Sequence, residues 1–397
     1  MRKVMGFLAP ITVILVAWTL AVKAESFSDV TRSLIAVIPY VIALLAIFMS
    51  IWYQNSNSFF LVCFILVSYI FISMSQKHLP MLVEAVTMLS VLLPVNTVWL
   101  SFSKERGIFS TYGRNKALVI IAQLIWVFIN IRMESNVPNN QGIDQFYIGI
   151  KVPVLILYIL AVGLLLSCYI IKNRYMDLIY VSVLINSIII FYFSNRIELT
   201  AIFISAIFVI IVIAMFDVSY SLAFYDTLTG VLSRRALEQE LLKLGGRKYT
   251  IAMVDLDYFK KINDSYGHDI GDEVLKMVAS ILSKTLSKAK VFRYGGEEFV
   301  VLFAGKGYND VISQLELVRR TIEKRPFIIR SDNRPAEKPD EPAKYSKSKG
   351  KGKINITVSI GLAQKTDLLK TSYDVIKKAD EALYKSKECG RNRITCA

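Results

Sequence analysis

Eight long apolar runs divide this chain before any motif is read. They lie near residues 5–22, 33–53, 58–74, 81–102, 117–131, 152–171, 176–193 and 198–216. A helix needs about 20 apolar residues to cross the hydrocarbon layer of a bilayer, and each run approaches that length. The first 216 residues are therefore expected to be an all-helical, multi-span membrane region. Glu84 falls within one run, a few residues from Pro80. A carboxylate there reads as an edge group within reach of water rather than as a buried functional acid. The aromatic pairs Trp52-Tyr53 and Tyr192-Phe193 suit the membrane–water boundary.

Charge is distributed in the opposite sense. Of the 397 residues, positions 1–220 hold 14 Lys and Arg and 9 Asp and Glu, whereas positions 221–397 hold 33 and 23, a balance of +10. The second part is long enough for one α/β core, and its basic balance favours anionic ligands or an anionic membrane surface. So diffuse a charge gives no reason to expect nucleic-acid binding. Four cysteines, Cys63, Cys168, Cys389 and Cys396, show neither zinc-site spacing nor a disulfide framework.

The links between runs set an orientation. With the amino terminus inside, inner links carry Lys104, Arg106, Arg114, Lys116, Lys172 and Arg174, close to the spans, and outer links carry fewer basic residues per length. That is the positive-inside pattern. The first run, opening Arg2-Lys3 and closing Ala21-Val22-Lys23-Ala24, reads as a span or as a cleaved signal segment. Eight spans, or seven after cleavage, both leave the C-terminal domain in the cytoplasm. Residues 217–225 continue an apolar helical face through Phe216, Tyr220, Ala223 and Phe224 and are expected to form a connecting helix.

Chemistry concentrates beyond residue 226. An apolar strand over 249–257 ends in Asp255-Leu256-Asp257, whose period of two puts both carboxylates on one face. About 40 residues on, Arg293-Tyr294-Gly295-Gly296-Glu297-Glu298-Phe299 separates two β-rich runs and reads as a hairpin. Its glycines let the backbone approach a ligand and its acids add to those of the strand. Carboxylates so arranged suit divalent metal around a triphosphate. Between them, Lys260-Lys261-Ile262-Asn263-Asp264 and Asp272 admit two readings. Asn and Asp fit loops and helix caps, and they also fit hydrogen bonding to the edge of a guanine base.

These segments carry a resemblance. Asp226-x-Leu228-Thr229, 255–272, Gly295–Phe299, Ile356–Gly361, Ala379-Asp380-x-Ala382-Leu383-Tyr384 and Gly390-Arg391-Asn392 match the GGDEF family of diguanylate cyclases in order and spacing, over about 224–395. The resemblance implies a palm-like α/β (α+β) domain over 226–397, with a central, mostly antiparallel sheet flanked by helices. It implies synthesis of cyclic di-GMP from two GTP, in a homodimer through the cyclase domain, with two magnesium or manganese ions per site. By position, Asp255, Glu297 and the Leu256 carbonyl correspond to metal ligands, and Glu298 to the group assisting deprotonation of the 3′-hydroxyl. Gly295 and Gly296 border the phosphates, Asn263 and Asp272 read guanine, and Lys387, Arg391 and Lys260 reach phosphate. The implied location is a bacterial inner membrane, with the lipid bilayer itself as a partner.

Two departures stand out. Leu286-Ser287-Lys288-Ala289 occupies the place of the family's Arg-x-x-Asp product-inhibition motif and lacks both charged residues, so no feedback site of that type is expected. An insertion near 329–353, rich in Pro, Lys, Ser and Gly, cannot build a core and reads as a solvated loop or a lipid-headgroup contact. A silent nucleotide-binding module would be marked by lost hairpin acids, and both are present. A transporter would need polar residues deep in several spans, and few are evident.

Overall fold

The computed structural model describes residues 2–76, 81–134, 152–172, 174–329, 352–369 and 371–397. The chain forms two compact units, Met1–Ser219 and Tyr220–Ala397.

The first unit is helical: α1 (Arg2–Lys23), α2 (Asp29–Trp52), α3 (Ser56–Ser75), α4 (Met81–Phe102), α5 (Thr111–Glu134), α6 (Val152–Lys172), α7 (Tyr175–Tyr192) and α8 (Ile197–Phe224). All eight are long and apolar enough to cross a membrane, and they coincide with the eight apolar runs. The segment expected to connect the last apolar run to the second unit is helical and continuous with that run. α8 continues unbroken through Phe224, because nothing between Phe216 and Phe224 breaks a helix and its apolar spacing persists.

Polar contacts between links show that the helices alternate in direction. On one face, Glu105 accepts from the backbone N–H of Ser56 at 2.9 Å and of Asn57 at 2.8 Å, capping the start of α3. Lys116 donates to Ser56 Oγ at 2.8 Å and to the Lys104 carbonyl at 3.0 Å. On the same face Asp177, opening α7, accepts from Ser101 at 3.0 Å and from Arg174. On the opposite face Arg196 pairs with Glu25 at 2.8 Å, and the Gln76 side chain donates to the Ser194 carbonyl. Eight alternating helices return the chain to the face on which it started. That face also carries Lys104, Arg106, Arg114, Lys116, Lys172 and Arg174. Glu84 is exposed in the first turn of α4.

The second unit runs β1 (Leu232–Ser233), α9 (Arg234–Leu244), β2 (Tyr249–Leu256), α10 (Phe259–Tyr266), α11 (His268–Thr285), β3 (Lys290–Arg293), β4 (Glu298–Ala304), α12 (Tyr308–Lys324), β5 (Phe327–Ile328), β6 (Lys353–Ile354), β7 (Val358–Gln364), α13 (Ser372–Glu388) and β8 (Ile394–Cys396). Six strands form one sheet in the order β1-β3-β4-β2-β7-β8. The four central strands are antiparallel, but both edge pairs, β1–β3 and β7–β8, are parallel. The sheet is therefore mixed, not mostly antiparallel as expected. The cause at one edge is α13: a helical crossover lets the chain re-enter the sheet in the direction it left. α13 lies tight on β7, since a Cβ on Gly361 would stand 2.1 Å from Leu383 N and 2.2 Å from the Ala379 carbonyl.

All eight residues of β2 are buried, so it needs apolar cover on both faces. Ala252, Val254 and Leu256 join Phe299, Val301 and Phe303 in the core under α10, α11 and α12. Tyr249, Ile251 and Met253 join Val300 and Leu302 in the core under α9 and α13. This period-two division assigns Asp255 and Glu298 to the α13 face. The insertion expected at 329–353 lies almost wholly outside the described residues. Its base is fixed, because Phe327 pairs with Ile354 and Ile328 with Lys353.

Candidate active site

Asp255 and Glu298 stand directly opposite each other in the β2–β4 register. Like charges facing across a ladder repel, and little water reaches Asp255, which is 4% exposed. Burial pushes the Asp255 carboxyl above its ordinary range, and the neighbouring Asp257 adds to the shift, although Lys387 opposes it. Burial and then the Asp255 charge raise Glu297 and Glu298 likewise. Lys387, from the last turn of α13, reaches Asp255 at 2.9 Å and is the local counter-charge.

The turn between β3 and β4 is shaped around Glu298. Tyr294 N–H donates to the Glu298 carbonyl at 2.8 Å and Gly295 N–H at 3.3 Å. A Cβ at Gly295 would come within 2.7 Å of Glu298 Oε2, whereas one at Gly296 would meet nothing. A side chain at Gly295 would thus push the Glu298 carboxylate aside, and Gly296 keeps an open side toward solvent. Arg293 grips the turn by donating to the Gly296 carbonyl at 2.7 Å. Its other nitrogen pairs with Asp226 at 3.0 Å, tying the hairpin to the Asp226–Gly230 turn.

Asn263 on α10 packs against Gly271 on α11 so closely that a Cβ at Gly271 would fall 1.9 Å from Asn263 Oδ1. That oxygen is buried and has no partner among the described residues. A buried acceptor left open marks a place for an outside donor. Asp272 and Lys260 are exposed on α11 and α10. Among the described residues no hydrogen bond or ion pair links them to the acid group. Leu256 closes β2 opposite Val358. Arg391 sits at φ +61° in the turn after α13, with its guanidinium 4.5 Å from the Tyr258 ring centroid and Nη1 3.3 Å from Tyr258 Oη.

Asp257 does not share the role of Asp255. It accepts from Thr357 Oγ1 and Ser359 Oγ, both at 2.7 Å, and from Asn392 N–H at 3.1 Å. It knots the end of β2 to β7 and to the turn carrying Arg391. Three contributors were therefore missed in sequence: Arg293 as the hairpin clasp, Asp257 as the knot and Tyr258 as the shelf under Arg391. All three lie inside quoted motifs, but their partners are 67, 100–135 and 133 residues away, and spacing does not disclose such pairings.

The donor set fits a hard divalent cation, which prefers oxygen ligands. Three carboxylates whose ionisation is suppressed by burial and by one another are what a cation would relieve. Among the described residues no three acidic, His or Cys side chains already close around one point, and Lys387 holds Asp255 instead.

Residues 223–338 match the family described as diguanylate cyclase, GGDEF domain. The response regulator PleD of Caulobacter vibrioides is 34% identical over 185 residues, which are 45% of this chain and 37% of that protein. Diguanylate cyclase A of Treponema denticola is 36% identical over 154 residues, or 38% of this chain and 36% of that one. The coiled coil and GGDEF domain of DgcB from Caulobacter crescentus, crystallised with c-di-GMP, aligns at 30% identity over 47% of this chain and 92% of that structure, with a TM-score of 0.40. The chain thus spans little more than a third of the length of these two curated relatives. The family match lies within the second unit, which carries a GGDEF domain.

Proposed function

We propose that this chain is a membrane-spanning diguanylate cyclase that joins two GTP into cyclic di-GMP, with release of two pyrophosphates, under the control of its helical unit. The observation that carries this reading is the pairing of Asp255 with Glu298 at adjacent strand ends, beside a Gly-Gly turn open to solvent and within reach of Lys387. The matches to named diguanylate cyclases support it.

In this reading Asp255, Glu297 and the Leu256 carbonyl would hold magnesium, which Mn²⁺ could replace, with two ions in each site. When bound, the metal supplies positive charge for the phosphates and acidifies a coordinated hydroxyl. Glu298 takes the proton of the 3′-hydroxyl as general base. The 3′-oxygen of one GTP then forms a bond to the α-phosphorus of the other, and the bond to the β-phosphate oxygen breaks. Lys387, Arg391 and Lys260 meet the terminal phosphates, Lys387 leaving Asp255 to do so. Asn263 offers its open oxygen to a guanine N–H, and Asp272 accepts from the same base edge. Each domain holds one GTP, so two copies must face each other, and a homodimer through this domain is part of the proposal.

The membrane placement rests on the eight apolar helices and their alternation, with the basic face and the cyclase both in the cytoplasm of a bacterial cell. Leu286–Ala289, between α11 and β3, offers no Arg-x-x-Asp pair, so we assign no product-inhibition site of that type. An equal mixture of ¹⁵N-labelled and unlabelled GTP, given to the full-length protein with Mg²⁺, tests the reaction. Cyclic di-GMP of three masses in a 1:2:1 pattern supports the condensation of two separate GTP molecules. A product of only two masses, or hydrolysis to GDP alone, rules it out.

A further inference from the structure

A cavity of about 400 Å³ opens in the helical unit where the α1–α2 link meets the start of α8. It lies on the face opposite the Glu105–Lys116 cluster, which the proposed orientation makes the non-cytoplasmic side. Four charged residues line it: Glu25, Arg32, Arg196 and Glu198, against an apolar wall that includes Val22 and Leu199. Glu25 and Arg196 satisfy each other at 2.8 Å.

Arg32 and Glu198 do not pair. Arg32 spends one nitrogen on the Glu25 carbonyl at 2.9 Å, and its Nε is buried with no partner among the described residues. Glu198 makes no ion pair or hydrogen bond among the described residues and is only partly exposed. Two opposite charges lining one cavity without meeting form a site that a single molecule can complete from both ends. Leaving a guanidinium N–H buried and unpaired is costly, and a carboxylate supplies the planar pair of acceptors that an Arg fork matches. An ammonium group supplies donors for the remaining carboxylate. The cavity is of ligand size, and the exposed Glu25–Arg196 pair at its rim leaves the lining with no net charge to favour a purely anionic or cationic guest.

We propose that this cavity binds a small zwitterion, its anionic group on Arg32 and its ammonium on Glu198. Two sources share that chemistry: a free α-amino acid and an ethanolamine phosphate headgroup. Occupancy would bear on the first turn of α8, the helix whose far end enters the second unit.

The test is thermal denaturation of the full-length protein in phosphatidylcholine nanodiscs, which contain no primary ammonium. Each of the twenty standard amino acids and O-phosphoethanolamine would be titrated singly, beside propionate and ethylamine as half-ligands. At least one zwitterion is expected to raise Tm saturably, with neither half-ligand matching it. Whichever succeeds identifies the source. Arg32→Gln and Glu198→Gln should each weaken that ligand about tenfold or more, the worth of one charge-assisted hydrogen bond. The comparison with half-ligands needs only the unmodified protein, so it stands even if a variant fails to fold. No response to any zwitterion, an equal response to propionate or ethylamine, or full affinity in both folded variants would overturn the proposal.

Discussion

The two units place polarity in opposite places. In the helical unit large apolar side chains face outward, as at Leu44, Trp126, Ile159 and Ile170, while Asn96, Thr97, Lys116, Asp177 and Asn186 are buried. Asn96 and Gln123 exchange hydrogen bonds at 2.8 and 3.0 Å between α4 and α5. In the second unit the apolar residues are inside, and the buried polar side chains among the described residues are Thr250, Asp255, Ser359 and Ser386, on β2, β7 and α13, with Asp257 just past the end of β2. The difference teaches how to read burial in each half. In a bilayer, where we propose that the helical unit lies, an outward Leu is ordinary and an inward Asn a packing device. In water the same inward polar group is an exception that calls for a reason. Of the exceptions, Asp255 belongs to the site itself, and Asp257 with Ser359 holds it in place.

The comparison can be broken most sharply at the site. Glu298→Gln should lower cyclic di-GMP production about 100-fold or more, since a positioned proton acceptor is lost, with little change in Tm. Gly295→Ala should lower it by roughly tenfold to a hundredfold, because displacement of the carboxylate by even a fraction of the Cβ overlap spoils geometry. Both are checked by product assay beside a melting curve.

A matched pair of surface substitutions tests the inside-out reading. Leu44 is 66% exposed on α2 and Leu242 is 80% exposed on α9. Leu44→Arg should cost about 2.5–3.5 kcal/mol of membrane insertion, read as loss of the protein from the membrane fraction. Leu242→Arg should change stability by no more than about 0.5 kcal/mol. Equal effects would remove the distinction.

Below Leu44→Arg in expected size is Asp177→Asn. It leaves Arg174 and Ser101 without their charged acceptor. Because Arg174 is partly exposed, the loss should be about 1–3 kcal/mol rather than that of a fully buried pair. Denaturation in mixed micelles would measure it.

The smallest expected effect is a pH dependence. Burial works against the Asp226 carboxylate, but hydrogen bonds from Thr229 and Arg293 outweigh it and hold its pKa below the ordinary value. A depressed folded pKa gives stability that is present above the unfolded pKa of about 3.9 and is lost as pH falls through the folded one. Asp226→Asn should therefore flatten the acid limb of a stability curve for this unit and leave its slope near neutrality unchanged.

Much of this was legible in sequence because it rests on local pattern. Length and apolarity alone specify eight helices. Period two in 249–257 gives the faces of β2, and two glycines between β-rich runs give the hairpin. What was not legible depends on partners far along the chain. Asp255 and Asp257 look equivalent in sequence. They differ because Thr357, Ser359 and Asn392 surround one and Lys387 the other. Within the Ile356–Gly361 segment the strand β7 opens only at Val358, while Lys353–Ile354 just upstream pairs instead with β5. The parallel β7–β8 edge depends on where α13 returns the chain, which no window of sequence contains.

The central claim is that Asp255 and Glu298 face each other in order to make cyclic di-GMP. Its most direct test is mass spectrometry of product from full-length protein, GTP and Mg²⁺, with GTP binding measured separately in the unmodified protein and in Glu298→Gln. The account predicts cyclic di-GMP from the first and almost none from the second, with GTP bound by both. Undiminished product from Glu298→Gln, or GTP bound by the unmodified protein with no cyclic di-GMP formed, would contradict it.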